Sequence, residues 1–500
     1  MEEGEVACPD RGSSFAQHTS TTTDSCAVGH ITINTLPDEV LLGIFDFCVN
    51  LHEVLEDEGE KEWETLVHVC RRWRYIVFAS PHRLKLRLVC TAGTRVEEML
   101  DIWPALPIDL RVYDLHDLNE DNVIATLEHN DRICEIYVQG LDDKDSFERF
   151  VASMQVPFPA LTDLSLATIY FPSPAVPDSF LGGFALGLRS LCLNGITVLG
   201  LPNLLLSATT LIRLRLENIP LSGHIPPHVM ADCLSSLAGL EELRISFILH
   251  YPYQTSLRPP PLTRTILRKL TSLSFEGTSE YLEVLFTWID APLHENIYIK
   301  LFDPVIFDIS QISLFNGREE LIQAFDRARM RFNRGLLDVT LSSQKRATGD
   351  TSLVLRLSIK CGDLAWQLQS LSQSRSRFSP PLDLSYGRFD VTEFASGCSP
   401  PWARDVEKAR WLEFLHFFAA VENLYLSEGL VLCIAPTLRD LAAREGGSVK
   451  VLPALKSLFI EKLRPSMMSG TLLEIIGEFI VAREFAGHPV VFQYWKEERK

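Results

Sequence analysis

The 500-residue sequence lacks the features that send a protein into the secretory route or anchor it in a membrane. Its first residues, Met1 to Glu5, have neither the basic start nor the apolar run of a signal peptide. The apolar stretch from Leu472 to Ala482 contains two glutamates and is shorter than a bilayer span. No Asn-x-Ser/Thr sequon occurs. We therefore expect an intracellular protein, cytoplasmic or nuclear, with no membrane partner.

The sequence also lacks the local motifs of enzymes and metal sites. The eleven cysteines are scattered and never form a Cys-x-x-Cys pair, so we expect reduced thiols, no metal and no cofactor. There is no phosphate-binding Gly-rich loop, no nucleophile elbow and no His-Glu-x-x-His pair. Cys70 precedes three arginines, which would lower its pKa, but a cysteine on an amphipathic helix usually lies in the core. The prediction is that the chain is not an enzyme; a site visible only in three dimensions is the least favoured alternative.

The sequence has fewer basic side chains than acidic ones. The 47 basic side chains against 65 acidic ones give a net charge of −18, which argues against nucleic acid as a partner of the whole chain. Residues 53–64 carry seven acids and one lysine, whereas residues 65–90 carry six bases and no acid. These neighbouring segments can neutralise each other, so the basic one does not by itself indicate nucleic acid. Hydrophobic residues make up 46% of the chain, which excludes global disorder.

Two helical patterns follow a leader of low hydrophobicity. Residues 1–30 are rich in Ser and Thr without an apolar period, which predicts a disordered leader. From residue 36 to 48 a helix is predicted, with Pro37 at its first position. Its apolar residues recur at steps of three and four, namely Leu41, Ile44, Phe45 and Cys48. A second helical pattern covers residues 63–78.

Beyond residue 90 a loose repeat of the form Leu-x-x-Leu-x-Leu appears. Its copies begin at Ile133, Leu161, Leu188, Leu211, Leu240 and Leu270, and again at Val421 and Leu455. Each copy alternates as a strand does, and the intervals leave room for a turn and a short helix. The pattern weakens over about 295–415, where 353–357 is strand-like and 319–332 and 404–418 are helix-like. A helix at 472–485 and a strand at 490–494 complete the prediction, which is an α/β fold.

The two N-terminal patterns resemble the F-box family. Leu36-Pro37-Asp38-Glu39-Val40 followed by Ile44-Phe45 is similar to the first helix of that family, and residues 66–74 (LVHVCRRWR) are similar to its closing segment. The resemblance implies that this unit docks onto a Skp-type adaptor, which joins it to a cullin–RING ubiquitin ligase. The adaptor-binding positions it implies are Leu36, Pro37, Val40, Ile44, Phe45 and Val69, with Trp73 in the core of the unit.

The repeats are similar to the leucine-rich repeats often found behind an F-box, as in F-box proteins of the fungal type. The resemblance implies a short all-helical F-box-like unit over 31–90 and an irregular leucine-rich-repeat-like α/β solenoid over 91–500. Ile196 and Ile219 stand where an asparagine or cysteine is expected, with Asn194 and Asn218 nearby. Two alternatives stay open: the helices only cap the repeats, or the strands belong to a non-repetitive α/β domain.

Stacked parallel strands would present the positions beside the buried leucines on one concave surface. Arg213, Arg215 and Arg244 would then lie close together, and Tyr137 and Tyr425 would share the same surface. Arginine suits carboxylate or phosphate, so an acidic or phosphorylated degron is one candidate ligand. The alternative is that these arginines pair across strands with Glu217 and Glu242 on a solvated face.

Two functional classes follow. The first is a substrate-recognition adaptor of a Skp–cullin–F-box ubiquitin ligase, which binds a protein substrate that the sequence does not identify. The second is a leucine-rich-repeat scaffold that mediates protein assembly without ligase activity.

Overall fold

The computed structural model of the chain describes residues 33–53, 68–79, 85–103, 106–113, 119–139, 144–168, 175–248, 264–292, 296–302, 315, 325–333, 336–343, 354–360, 367–368, 386–391, 408–416, 418–443, 450–461 and 470–495. The chain divides into two compact units between Leu84 and Lys85. The expected leader at 1–30 and most of the acidic segment lie outside the described residues.

The N-terminal unit contains two helices, α1 (Asp38–Glu53) and α2 (Arg71–Ala79). Asp38 and Glu39 occupy the first turn of α1, where negative charge favours the positive end of the helix dipole. A short 3₁₀ turn at Ile33–Thr35 precedes them. The first predicted helix is present as α1. Of the second, predicted over 63–78, residues 71–78 lie in α2, residues 68–70 form a turn, and residues 63–67 lie outside the described part of the chain.

The second unit is mixed α/β. Its strands in chain order are β1 Leu86–Val89, β2 Ile108–Val112, β3 Ile133–Gln139, β4 Asp163–Ala167, β5 Ala175–Val176, β6 Ser190–Asn194, β7 Thr197–Val198, β8 Arg213–Ile219, β9 Glu242–Phe247, β10 Thr265–Ile266, β11 Ser272–Gly277, β12 Ile289–Asp290, β13 Asn296–Leu301, β14 Arg327–Asn333, β15 Leu336–Ser342, β16 Val354–Lys360, β17 Tyr386–Val391, β18 Asn423–Leu426, β19 Ser457–Glu461 and β20 Val491–Trp495. Its helices are α3 Val96–Ile102, α4 Glu120–Leu127, α5 Lys144–Ser153, α6 Leu201–Ser207, α7 Pro227–Ser235, α8 Ser279–Trp288, α9 Lys408–His416, α10 Glu428–Ala443 and α11 Gly470–Phe485.

Sixteen of these strands form one sheet, in the order β1-β2-β3-β4-β6-β8-β9-β11-β13-β16-β15-β14-β17-β18-β19-β20. Neighbours pair in parallel except for β15, which is antiparallel to both β14 and β16. The reversal falls inside the 295–415 region where the repeat pattern weakens. Each predicted Leu-x-x-Leu-x-Leu copy contains a strand of this sheet, which confirms the α/β prediction at this level.

Buried leucines set the register of the parallel strands. Leu164, Leu191, Leu214, Leu243 and Leu273 lie side by side on β4, β6, β8, β9 and β11, and all five are buried. Each contributes about 1.5–3 kcal/mol by leaving water. Because side chains alternate along a strand, this register turns every intervening residue to the opposite face.

The helix predicted over 319–332 is wrong in its described part, and residues 319–324 lie outside the described residues. Residues 319–332 contain helix formers, yet Arg327–Asn333 is β14, paired with β15 and β17. Ala328, Met330 and Phe332 are buried and alternate with three arginines, which is the period of a strand. Pairing with two neighbours outweighs the local helical preference, because intrinsic propensity is a weak signal compared with tertiary contacts.

Three arginines tie neighbouring segments together through backbone carbonyls. Arg132 donates to the carbonyl oxygens of Trp103 at 2.6 Å and Leu106 at 2.9 Å. The buried Arg483 of α11 donates to Leu452 at 2.8 Å and Leu455 at 3.1 Å. Arg264 likewise donates to the carbonyls of Phe286 and Ile289. The contacts link segments distant in the chain, and at Trp103 and Leu452 they give a second donor to a carbonyl that already accepts a backbone N–H.

The turn after β6 requires glycine. Gly195 has φ of 72°, and its N–H donates to the carbonyl of Glu217 at 2.9 Å. A Cβ at this position would overlap the carbonyl oxygen of Thr168. Beside it, Asn218 (φ 49°) donates its side-chain amide to the Asn194 side-chain oxygen at 2.8 Å. The two asparagines that lie near the expected ladder positions therefore do contact each other.

We predict that Gly195→Ala destabilises the chain more than Gly487→Ala. Both glycines have positive φ, so each alanine should cost about 1–2 kcal/mol of unfolding free energy. Only position 195 adds a steric overlap, worth roughly a further 1–3 kcal/mol, since nothing lies within 4 Å of a Cβ at Gly487. Urea denaturation followed by circular dichroism measures both, and equal shifts of the midpoint would contradict the assignment.

Candidate functional site

The two helices of the N-terminal unit share a small core. Leu41, Phe45 and Ile76 are almost fully buried, and the rings of Phe45 and Trp73 lie 5.0 Å apart. The expectation that Trp73 belongs to this core agrees with its burial. Phe45, which was predicted to contact an adaptor, is instead packed against Trp73 and has no exposed surface. We therefore exclude Phe45 from the candidate docking surface.

A second apolar stripe of α1 faces outward. Val40, Ile44 and Phe47 follow one another at steps of four and three, which places them on one side of the helix. Leu41, Leu42 and Phe45 occupy the other side. The predicted single stripe through Leu41, Ile44 and Phe45 is thus divided between the two sides, because Leu41 and Phe45 are buried whereas Ile44 is exposed. The side chain of Cys48 is outside the described residues.

Five exposed apolar side chains of the N-terminal unit make up the set that we call the candidate docking surface. They are Val40 (45% exposed), Ile44 (36%), Phe47 (65%), Val69 (59%) and Tyr75 (70%). Pro37 is also exposed and Leu36 is half-buried. Phe47 and Tyr75 were not among the predicted site residues, although the spacing of Phe47 from Ile44 was a readable signal for its position on the helix.

Arg72 fixes the start of α1. Its guanidinium donates to the carbonyl oxygen of Leu36 at 2.5 Å and to Asp38 Oδ1 at 2.6 Å. The Arg72–Asp38 pair is partly solvated, so its net contribution to stability is about 1 kcal/mol or less. The main effect of these contacts is to position the chain, because they link Arg72 of α2 to the segment that contains Leu36 and Pro37. Arg72 therefore pairs with Asp38, which lies outside the acidic 53–64 segment that the sequence analysis considered as its neutralising partner.

On the sheet, the predicted arginine cluster is neutralised across strands. Arg215 Nε and Nη2 donate to the two carboxylate oxygens of Glu242 at 2.8 and 3.0 Å. Arg244 donates to Glu217 at 3.0 Å. Arg213 reaches Asp163 at 3.2 Å. Because each arginine already has a carboxylate, the cross-strand alternative describes Arg215 and Arg244, and a degron site at these three residues loses its basis.

Tyr137 lies beside a charged network on the first strands. Asp109 is buried and accepts hydrogen bonds from Arg87 at 3.3 Å and Arg111 at 2.6 Å. Burial raises the pKa of the Asp109 carboxyl, although both arginines favour its charged form. The Arg111 guanidinium also lies 5.4 Å from the centre of the Tyr137 ring. Tyr137 therefore packs against Arg111 on this face of the sheet.

Tyr425 lies far from Tyr137 in the strand order and belongs to an aromatic group of its own. Its ring stacks on Phe459 at 4.2 Å with an interplanar angle of 6°. Trp495 meets Tyr425 edge-on at 6.0 Å, and Arg388 lies 4.4 Å above the Trp495 ring. The two tyrosines are thus on separate parts of the sheet and do not form one site.

Three of the six described thiols, those of Cys90, Cys134 and Cys233, are buried, and the other three are half-buried. Burial raises the pKa of the Cys90, Cys134 and Cys233 thiols to about 11. Burial also raises the pKa of the half-buried Cys192 thiol on β6. Across the described parts of the chain, no group of three or more His, Cys, Asp or Glu side chains is arranged to hold a metal ion. In the same parts, no helix is both long and apolar enough to cross a bilayer.

We expect Cys90, Cys134 and Cys233 to react with iodoacetamide at least ~100-fold more slowly in the folded chain than in concentrated urea. A pKa raised from about 9 to about 11 lowers the thiolate fraction below pH 9 by this factor. Mass spectrometry of the alkylated peptides reports each site, with the unfolded chain as control. Labelling of any of the three at its unfolded rate would show that its thiol is accessible and ionised.

Similarity to other proteins supplies no further constraint on this site: no protein-family model matches the chain, and a search of curated proteins finds no match either.

Proposed function

We propose that the chain is the substrate-recognition subunit of a Skp–cullin–F-box ubiquitin ligase. In this proposal the N-terminal unit is an F-box that docks onto a Skp-type adaptor. The second unit is an irregular leucine-rich-repeat solenoid that binds a protein substrate. The sequence resemblance of residues 36–45 and 66–74 supports the first part, and the parallel strands with a shared leucine register support the second.

The observation that carries the proposal is the outward stripe of α1. Soluble proteins rarely leave apolar side chains grouped on a surface unless another molecule covers them. Val40, Ile44 and Phe47 are exposed on a helix whose other side supplies Leu41, Leu42 and Phe45 to the core. Burying each of them against a partner would contribute about 1.5–3 kcal/mol. Five positions implied by the F-box resemblance are exposed or half-buried, namely Leu36, Pro37, Val40, Ile44 and Val69.

We predict that Ile44→Glu with Val69→Glu abolishes capture of a purified Skp-type adaptor by the full chain. Both side chains are exposed, so the double variant should fold while placing two carboxylates in an apolar interface. The expected result is a loss of affinity of at least about 100-fold, measured by pull-down and by titration calorimetry. Circular dichroism of the variant checks that the helices persist.

Leu199→Glu with Leu221→Glu is the matched control. These leucines are as exposed as Val69 but lie in the second unit, so adaptor capture should be unchanged. Retained capture by the Ile44/Val69 variant would contradict docking through this surface.

Deletion of the first unit separates the ligase adaptor from the assembly scaffold. The deletion should end at Leu84, because Leu86–Val89 is the first strand of the sheet and removing it would disturb the second unit. A ligase adaptor loses cullin from its complexes on this deletion and retains its substrate. A scaffold has no cullin in its complexes before or after deletion.

A further inference from the structure

The strand at one end of the sheet is open along its outer edge. In the described part of the chain, β20 pairs with β19 only. Val491 donates its N–H to the carbonyl oxygen of Lys456 at 2.9 Å, on the β19 side. Because successive backbone groups of a strand point to opposite sides within the sheet, the N–H and C=O groups of Phe492 and Tyr494 point to the open edge. Such an edge is a template for pairing with another strand.

The hydrophobic core reaches the surface at the same end. Phe492 and Tyr494 are opposite Leu458 and Ile460 of β19, which are 1% and 0% exposed. On β20, by contrast, Phe492 is half-buried and Tyr494 is 48% exposed. Their rings lie 5.1 Å apart. A stacked array leaves its core exposed at an end unless another element covers it, and β20 shows this exposure.

The helix that precedes β20 is open on the same side. Glu478 of α11 is directed toward α10, where it lies 3.7 Å from Arg439 Nε. Gly477, Ile480 and Val481 follow steps of three and four on another side of α11. Ile480 is half-buried and Val481 is 48% exposed. In the part of the chain that the structure describes, no atom lies within 4 Å of the position that a Cβ would take at Gly477.

The order of the elements brings these two open sides together. α10 connects β18 to β19 and α11 connects β19 to β20, so the side of α11 away from α10 faces the outer edge of β20. The strand and the helix therefore present one two-layered apolar surface. We call this surface the β20 end and define it by five residues: Gly477, Ile480, Val481, Phe492 and Tyr494.

We propose that the β20 end is the interface of a homodimer, in which β20 of a second copy of the chain pairs antiparallel with the first. In the pairing centred on Gln493, Phe492 of each copy is directly opposite Tyr494 of the other. Both residues have edge-facing backbone groups, so each such pair exchanges two N–H···O=C hydrogen bonds. The strand has no charged side chain, and self-pairing therefore brings no like charges into opposition.

A second copy fits this end better than an extended peptide does. A peptide would pair with β20 but would leave Gly477 and Val481 of α11 uncovered. A two-fold axis perpendicular to the sheet keeps strands and helices in their own layers, so α11 of one copy lies beside α11 of the other. The second copy thus supplies both the strand and the apolar helix side that the β20 end lacks.

The interface of this dimer would be small. β20 is five residues long, and the helix layer beside it adds a contact of similar extent. We estimate a buried area of roughly 1,000 Å² in total, below the ~1,600 Å² of a standard interface. We therefore expect a reversible dimer with a Kd of about 10 μM, which dissociates on dilution.

The test uses the full chain without an adaptor, so its outcome does not depend on the proposed ligase function. Sedimentation velocity from about 1 to 100 μM should show a reversible shift from monomer to dimer. Val481→Lys with Tyr494→Lys should weaken self-association by at least about tenfold. Lysine on a strand edge opposes pairing, and the two-fold axis brings the added charges of the two copies together. Circular dichroism checks that the variant folds.

Phe184→Lys with Leu206→Lys is the matched control. Both side chains are 48% exposed, as are those of Val481 and Tyr494. They belong to the segment before β6 and to α6, far from β20 in the strand order, so self-association should be unchanged. Equal weakening in the two double variants would overturn the interface, because any added positive charge would then have the same effect.

A cysteine cross-link tests the register of the pairing. Gln493 of each copy would form a directly opposed pair without backbone hydrogen bonds, with the two Cα atoms about 4.5 Å apart. That distance suits a disulfide. Under a mild oxidant, Gln493→Cys should give a covalent dimer on a non-reducing gel. Gln155→Cys, at an exposed position after α5, and the unmodified chain should not. Equal cross-linking at position 155 would overturn the antiparallel pairing.

The concentration series also decides between occupants of the β20 end. A chain that stays monomeric up to about 100 μM would overturn the second copy as the occupant. This end would then be left to another part of the chain or to a different protein. A dimer that the Val481/Tyr494 variant retains at full affinity would equally overturn the assignment of the interface to the β20 end.

Discussion

The shared register of the buried leucines is the constraint on which the second unit depends. Leu164, Leu191, Leu214, Leu243 and Leu273 align across five parallel strands, and a slip of one residue would turn them all to water. Glycine at 195 allows the chain to leave β6 without a clash with Thr168. Because side chains alternate along a strand, this register also places the polar residues between the leucines on the opposite face of the sheet.

That register determines the electrostatics of the opposite face. On β8 and β9 it places Arg215 beside Glu242 and Arg244 near Glu217, so charge is balanced locally. On β14 and β17 it places Arg329 opposite Arg388. The same geometric rule places Arg331 of β14 between Asp338 of β15 and Asp390 of β17.

In the N-terminal unit the constraint is size, because a small unit can bury only a small hydrophobic core. Phe45 and Trp73 pack together with a few aliphatic side chains, while Val40, Ile44 and Phe47 remain exposed on the other side of the same helix. A small unit of this kind buries too little surface to use all its apolar residues internally. The outward stripe is therefore the natural surface for the proposed adaptor.

Sequence alone determined the features that depend on near neighbours: the alternation of each Leu-x-x-Leu-x-Leu strand, the two N-terminal helices and the α/β class. It placed Ile44 and Phe45 on one stripe and residues 319–332 in a helix, and it left open whether Arg215 and Arg244 were paired. Only the tertiary structure decided these points. Burial of Phe45 depends on Trp73, the strand at 327–333 depends on β15 and β17, and the arginine pairs depend on residues 27 positions away. The strand at 327–333 does carry a local period of two, but the packing of Phe45 on Trp73 and the arginine pairs leave no local period that a sequence pattern could show.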